Sequence, residues 1–150
     1  MDIKSKNGYP QSALSNFAPH PFVLDGIEAA SMEGWLQSLK HKNPEMQKYI
    51  CSLVGYAAKR SSRNKNWQRN QTLYWKGVEY DRQSKEYQEL LDRAYDALAG
   101  NDGFRRALLA SGDAVLTHSI GRTNPKETIL TQSEFCGRLM RLRERIRSGK

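Results

Sequence analysis

Tyr87, Leu90, Leu91, Ala94, Tyr95 and Leu98 recur at intervals of three and four residues, and the run stops at Gly100. With 3.6 residues per turn these side chains share one face, so the segment must bury a continuous apolar stripe against something equally apolar. The C-terminal part of the chain offers a partner. There Thr131 and Glu134 form a capping box ahead of Phe135, Leu139, Leu142 and Ile146, an apolar seam at the same spacing. A shorter helix is expected around Phe104 to Leu109, ended by Ser111-Gly112. A chain of 150 residues is long enough for one real hydrophobic core, and nothing in it divides that core. The expectation is a single domain over residues 1–150 that is mainly α, with a short N-terminal β-hairpin and minor strands.

The hairpin comes from Phe22-Val23-Leu24 followed by Asp25-Gly26 and Ile27, since Asp-Gly supplies the positive backbone angles of a tight turn. Before it, Gly8, Pro10, Pro19 and Pro21 interrupt any helix and predict a surface loop. After it, Ser31 is a plausible N-cap for a helix that runs to the Lys40–Lys42 cluster. Asn43-Pro44-Glu45 opens another, which continues through Tyr49, Ile50, Leu53, Val54 and Ala57. Residues 60–80, with Trp67, Tyr74, Trp75 and Gly77, break the pattern and read as a long irregular segment. Asp113 precedes Ala114-Val115-Leu116, a candidate for a brief buried strand.

Within the first of these helices, Glu33, Gln37 and Lys40 stand at i, i+4 and i+7, which places them in one column. Met32, Trp35, Leu36 and Leu39 gather on the adjoining face, so the column borders the core. Charged groups at such an edge lose hydration, which moves their pKa values toward neutrality. The same spacing also fits an ordinary solvated helix face.

The net charge is +8, a bias that draws phosphates and nucleic acids. Lys59, Arg60, Arg63, Lys65 and Arg69 form one basic zone without an acid, and residues 131–150 hold six basic and two acidic residues, a net of +4. Solvated helix ends would produce similar clusters. Cys51 and Cys136 are far apart and read as free thiols, and His20, His41 and His118 are scattered, so no metal site is expected. There is no apolar run of the roughly 18 residues a membrane span needs, and the first positions lack the apolar core of a signal peptide. The chain reads as cytoplasmic, with no membrane partner.

Ser15-Asn16-Phe17, Pro21-Phe22, Leu24-Asp25-Gly26 and then Glu33, Gln37 and Lys40 resemble, in order and spacing, the opening of the NADAR family, which includes the YbiA-like N-glycosidases. Lys59-Arg60 and Trp67 are similar to its basic and tryptophan positions. Ser111-Gly112-Asp113-Ala114 and Gly137-Arg138-Leu139-Met140 with Arg143 resemble its closing blocks. The likeness implies a mostly helical domain that cleaves N-glycosidic bonds of phosphorylated ribosides without a cofactor. Two substrate classes go with it: early ribosylaminopyrimidine phosphates of riboflavin synthesis, and ADP-ribose joined to guanine in nucleic acid. There are two departures. Gly34 stands where the family has His, and the tryptophan-glycine block before the last helix is replaced by residues 121–130.

Breaking the bond between ribose C1 and a base nitrogen leaves positive charge on the sugar and negative charge on the base. Glu33 or Asp113 would stabilise the cationic sugar and position water, while Lys40 donates to the leaving group or neutralises phosphate. Alternatively, an uncharged Lys40 attacks C1 of a ring-opened sugar and forms a Schiff base; the resemblance favours a catalytic lysine. Arg60, with its basic zone, and Arg122 are candidates for the phosphate. Phe17, Trp67 and Trp75 would stack the base or simply fill the core. Asn16 is a candidate for the ribose hydroxyls, or caps its own turn, and Gln37 is a candidate for substrate binding. A non-catalytic module that binds ADP-ribose or nucleic acid is the alternative from another class. Oligomeric state is not encoded in any visible pattern.

Overall fold

Asp25 and Gly26 sit at φ 51° and 80°, the paired positive angles of a tight hairpin turn. They join β1 (Phe22–Leu24) to β2 (Ile27–Ala29), with Phe22 opposite Ala29, as the Asp-Gly signal predicts. The computed structural model describes residues 1–63 and 66–149; Lys65 and Lys150, counted in the two basic zones, lie outside the described residues. Ahead of the hairpin is a single helical turn, α1 (Gln11–Leu14), where the prolines had predicted only loop. Following it are α2 (Met32–Ser38), α3 (Pro44–Cys51), α4 (Gly55–Ser61) and α5 (Asn66–Asn70). A second antiparallel hairpin, β3 (Thr72–Trp75) with β4 (Val78–Asp81), leads to α6 (Lys85–Leu98), α7 (Asp102–Ala110) and α8 (Gln132–Arg147).

The expected long helices are where the stripes put them. Tyr87, Leu90, Leu91, Ala94, Tyr95 and Leu98 of α6 are all buried, and Phe135, Leu139 and Leu142 of α8 pack into the same core. The capping box at Thr131 and Glu134 is formed. Glu134 does more than cap: both its oxygens are held by the Arg82 guanidinium, at 2.7 and 3.1 Å. Arg82 is itself 1% exposed, so this pair anchors α8 beneath β4. No helix among the described residues is long and apolar enough to cross a membrane.

Four expectations are corrected. The Ser31-capped helix ends at Ser38, because β3 takes the Leu39 carbonyl (from Tyr74 N–H, 2.8 Å) and Pro44 starts the next helix. The helix expected from Pro44 through Ala57 is two, since Gly55 adopts φ 54° and breaks it. The irregular segment 60–80 contains α5 and a hairpin, turned by Lys76 and Gly77 at φ 48° and 80°, with Leu73 and Trp75 buried on its inner face. Ala114–Leu116 forms no strand: Val115 is 69% exposed, and only Thr117 makes a parallel bridge, to Asp2.

Candidate functional site

Ser31 fixes the start of α2 twice, accepting from Gly34 N–H at 3.1 Å and donating to the Leu53 carbonyl at 3.0 Å. Gly34 lets α2 lie directly on the end of α3. A Cβ there would stand 2.5 Å from the Leu53 carbonyl oxygen and 2.9 Å from that of Ile50, so the histidine of the resembled pattern has no room. The neighbouring Glu33 donates its backbone N–H to the Asn16 carbonyl at 3.0 Å, which brings the loop Ser15-Asn16-Phe17 against the acid.

These contacts line a cavity of about 300 Å³. Asn16, Phe17, Glu33 and Gln37 face it from one side, and His118, Ile120 and Thr128–Leu130 from the other. Gln37 Nε2 donates to Glu33 Oε1 at 3.0 Å, and Tyr95 Oη donates to Asn16 Oδ1 at 2.8 Å. Burial pushes the Glu33 carboxyl above its usual range; the Gln37 hydrogen bond and the charges of Lys40, Lys59 and His118 oppose this only in part. A second cavity, of about 250 Å³, adjoins the first and shares Gln37, Lys59, Thr128 and Ile129 with it. Lys40, Ser62, Arg63, Trp67, Gln68, Arg122 and Glu127 complete its lining.

Lys40 lies just past the end of α2, and its Nζ donates to the Ser62 carbonyl at 2.9 Å. Burial lowers its pKa, with Glu33 acting the other way. His41 and the Ser62 hydroxyl share a hydrogen bond of 2.6 Å, so the buried Ser62 ties the end of α4 to both residues. The amine also borders a larger, open hollow of about 540 Å³ on its other flank, beside Lys42, Met46 and Tyr49.

The other candidates divide. Trp67 is buried and reaches the second cavity, where Arg122 pairs with Glu127 at 3.8 Å. Arg60 lines neither cavity and instead stacks over the exposed Tyr56 ring, 5.8 Å from its centroid. Trp75 is corrected to a core residue: it is 2% exposed, packs edge-on against Trp35, and donates from Nε1 to Asp25 Oδ2 at 2.8 Å. Asp113 is corrected to a surface acid. Its side chain is 96% exposed and pairs with Arg147 at 2.7 Å, because Gly112 at φ 60° turns the chain outward after α7. Of the C-terminal basic zone, Arg138 and Arg143 are buried in structural hydrogen bonds with Asp92 and Ser111.

Several cleft residues were not singled out by the sequence. Lys59 belongs to the basic zone and to the Lys59-Arg60 block, where Arg60 is the expected candidate in its place. His118 carries no local signal, being brought in by the first residues of the chain: Ile3 N–H donates to the Thr117 carbonyl at 2.7 Å, and His118 Nδ1 bonds the Ile3 carbonyl at 2.8 Å. The Asp2 carboxylate accepts from both the Ser119 hydroxyl and N–H, at 2.6 and 2.8 Å, which holds its pKa down at about 2.

Residues 8–144 match the family described as bacteriophage protein GP30.3. The chain belongs to that family. A relative from Enterobacteria phage T4, the uncharacterized 17.1 kDa protein in the Gp30–rIII intergenic region, is 44% identical over 149 residues. The match covers 97% of this chain and 98% of the relative. Among solved structures, the NMR structure of the E. coli protein YbiA aligns with a TM-score of 0.65 at 19% identity, covering 99% of this chain and 85% of that one. The GP30.3-family chain therefore has a YbiA-like fold, and the resemblance carried by its sequence blocks holds at the level of architecture.

Proposed function

We propose that the protein is an N-glycosidase that hydrolyses the bond between ribose C1 and a base nitrogen in a phosphorylated riboside. The supporting observation is the pairing of Glu33 and Lys40. One is an acid made less acidic by burial, the other an amine made less basic by it, and they open onto adjoining cavities that share Gln37. Opposed shifts of this kind suit groups that exchange protons near neutrality.

In this reading the sugar lies at Glu33, whose carboxylate offsets the positive charge that builds at C1. The phosphate end lies toward Lys59, Arg63 and Arg122, three cations against the acid Glu127. An uncharged Lys40 would add to C1 of the ring-opened sugar. The base then leaves with a proton, an imine remains on the lysine, and water releases the aldehyde and restores the amine. If Lys40 stays charged, Glu33 instead directs water at C1 and Lys40 neutralises phosphate.

The test is to incubate wild type and Lys40→Met separately with a ribosylaminopyrimidine phosphate and with an oligonucleotide carrying ADP-ribosylated guanine. Mass spectrometry would follow freed ribose phosphate or ADP-ribose. Wild type is expected to release product from one of them, and Lys40→Met to lose at least about 100-fold in rate while melting within a few degrees of wild type. Borohydride would trap protein-bound sugar only along the imine route. Absence of product from both substrates, or full activity in Lys40→Met, overturns the assignment.

A further inference from the structure

The segment 121–130, which stands in place of the tryptophan-glycine block, walls both cavities, and its backbone is held in a regular way. Five consecutive carbonyls each accept from a side chain. Pro125 O accepts from Gln83 Nε2 (3.2 Å), Lys126 O from Gln71 Nε2 (3.0 Å) and Glu127 O from Gln68 Nε2 (2.9 Å). Thr128 O accepts from Arg82 Nε (2.9 Å) and Ile129 O from Tyr87 Oη (2.6 Å). All five donors lie between residues 68 and 87, on α5, just outside the two ends of the second hairpin, and at the start of α6. Surface loops ordinarily leave such carbonyls to water and move accordingly. Here the path of the wall is dictated by one neighbouring unit.

Gln71 is the hub of this arrangement. Its Nε2 donates to both Gln68 O (2.9 Å) and Lys126 O (3.0 Å), and its Oε1 accepts from Gln83 Nε2 (3.0 Å). Its backbone N–H donates to Trp67 O and its carbonyl accepts from Arg82 N–H. All this occurs at φ 54°, the left-handed region that a residue with a side chain occupies only when its surroundings force it. A free surface glutamine would not be kept there.

We propose that Gln71 and Gln83 are positioning residues of the cleft, aided by Gln68, which also lines the second cavity. They fix the wall 125–129 so that Glu127, Thr128 and Ile129 meet the ligand in a preformed site, with no lid to close. This rests on the riboside reading for the nature of the ligand, while the clamp itself does not. The departure from the resembled pattern is thereby accounted for: the wall is shaped by its backbone anchors.

The test uses Gln71→Asn and Gln83→Ala, since neither side chain lines either cavity. Asparagine tolerates the left-handed conformation, so the backbone stays satisfied, but its side chain is one methylene too short to span the loop. Both variants are expected to melt within a few degrees of wild type. Affinity for ribose 5-phosphate or ADP-ribose, titrated by NMR, should fall about tenfold or more, with KM rising further than kcat falls. The methyl signals of Ile129 and Leu130 should shift. Unchanged affinity and unmoved methyl signals in both variants would overturn the proposal. If wild type binds neither probe, the riboside reading fails; the methyl signals then decide the clamp alone, shifted for it and unmoved against it.

Discussion

Gln37 donates to Glu33 Oε1 at 3.0 Å while its own Oε1 lies buried with no hydrogen-bond partner among the described residues. An unmatched buried acceptor costs about 1–3 kcal/mol. The same side chain keeps a carboxylate in place that burial disfavours, so stability and chemistry pull against each other at α2.

Glu33→Gln separates the two. The carboxyl has an ordinary value of 4.5 and a higher one in the folded chain, so the folded state holds its proton more tightly than the unfolded state does. Stability is therefore lost as pH rises from 4.5 through the folded value, and that loss is complete above it. At pH 7 the glutamine variant is expected to be more stable than wild type. The difference should shrink as the pH falls through the folded value toward 4.5 and be gone below it, and turnover should vanish. Urea unfolding at pH 7 and pH 4 would check this; a variant less stable than wild type at pH 7 contradicts the electrostatic account.

Gly34→Ala sets helix propensity against packing. Alanine ordinarily favours a helix over glycine by about 1 kcal/mol, but the new Cβ would lie 2.5 Å from a backbone oxygen that cannot swing away. Overpacking of this sort costs roughly 1–3 kcal/mol or more. A net loss of about 1–2 kcal/mol is expected, read as a melting temperature lowered by several degrees. A variant that melts at or above the wild-type temperature would mean that α2 and α3 separate freely.

Tyr95→Phe removes one hydroxyl from the core. That hydroxyl holds Asn16 Oδ1 at 2.8 Å and so leaves Nδ2 as the donor the amide has to offer. Without it the amide can flip. The expected result is a KM raised several-fold with kcat less affected, and a stability loss of about 1 kcal/mol. An unchanged KM would remove Asn16 from the binding surface.

Asp113→Asn should leave both turnover and melting temperature essentially unaltered. Its partner Arg147 is met at the surface, where such pairs contribute little. A tenfold fall in activity would return this acid to the site against its position in the fold.

The long amphipathic stripes of α6 and α8, the Asp25-Gly26 turn and the caps at Ser31, Asn43 and Thr131 were legible because each is a local signal lying within a few residues of its effect. The Glu33–Gln37–Lys40 column was legible for the same reason, although Lys40 follows the helix rather than belonging to it. The second hairpin was not, since its inner face shows only Leu73 and Trp75 and its turn begins with Lys76, a residue that rarely takes positive φ. Asp113 and Trp75 were misplaced because spacing gives no direction: one points to water, the other into the core. His118 and the glutamine clamp depend on contacts between residues tens of positions apart, which no periodicity records.

The bridge from the first residues to Thr117–Ser119 bears on how the cleft comes into being during synthesis. Glu33 and Lys40 leave the ribosome early, but the wall opposite them carries His118, Ile120 and Thr128, and it is pinned partly by Asp2 and Ile3. Asp2 and Ile3 must wait for partners more than a hundred residues behind them. The pocket is thus completed only after residues 118–130 have been made, and a fragment holding both reactive side chains but not that segment would still lack the opposite wall of their enclosure.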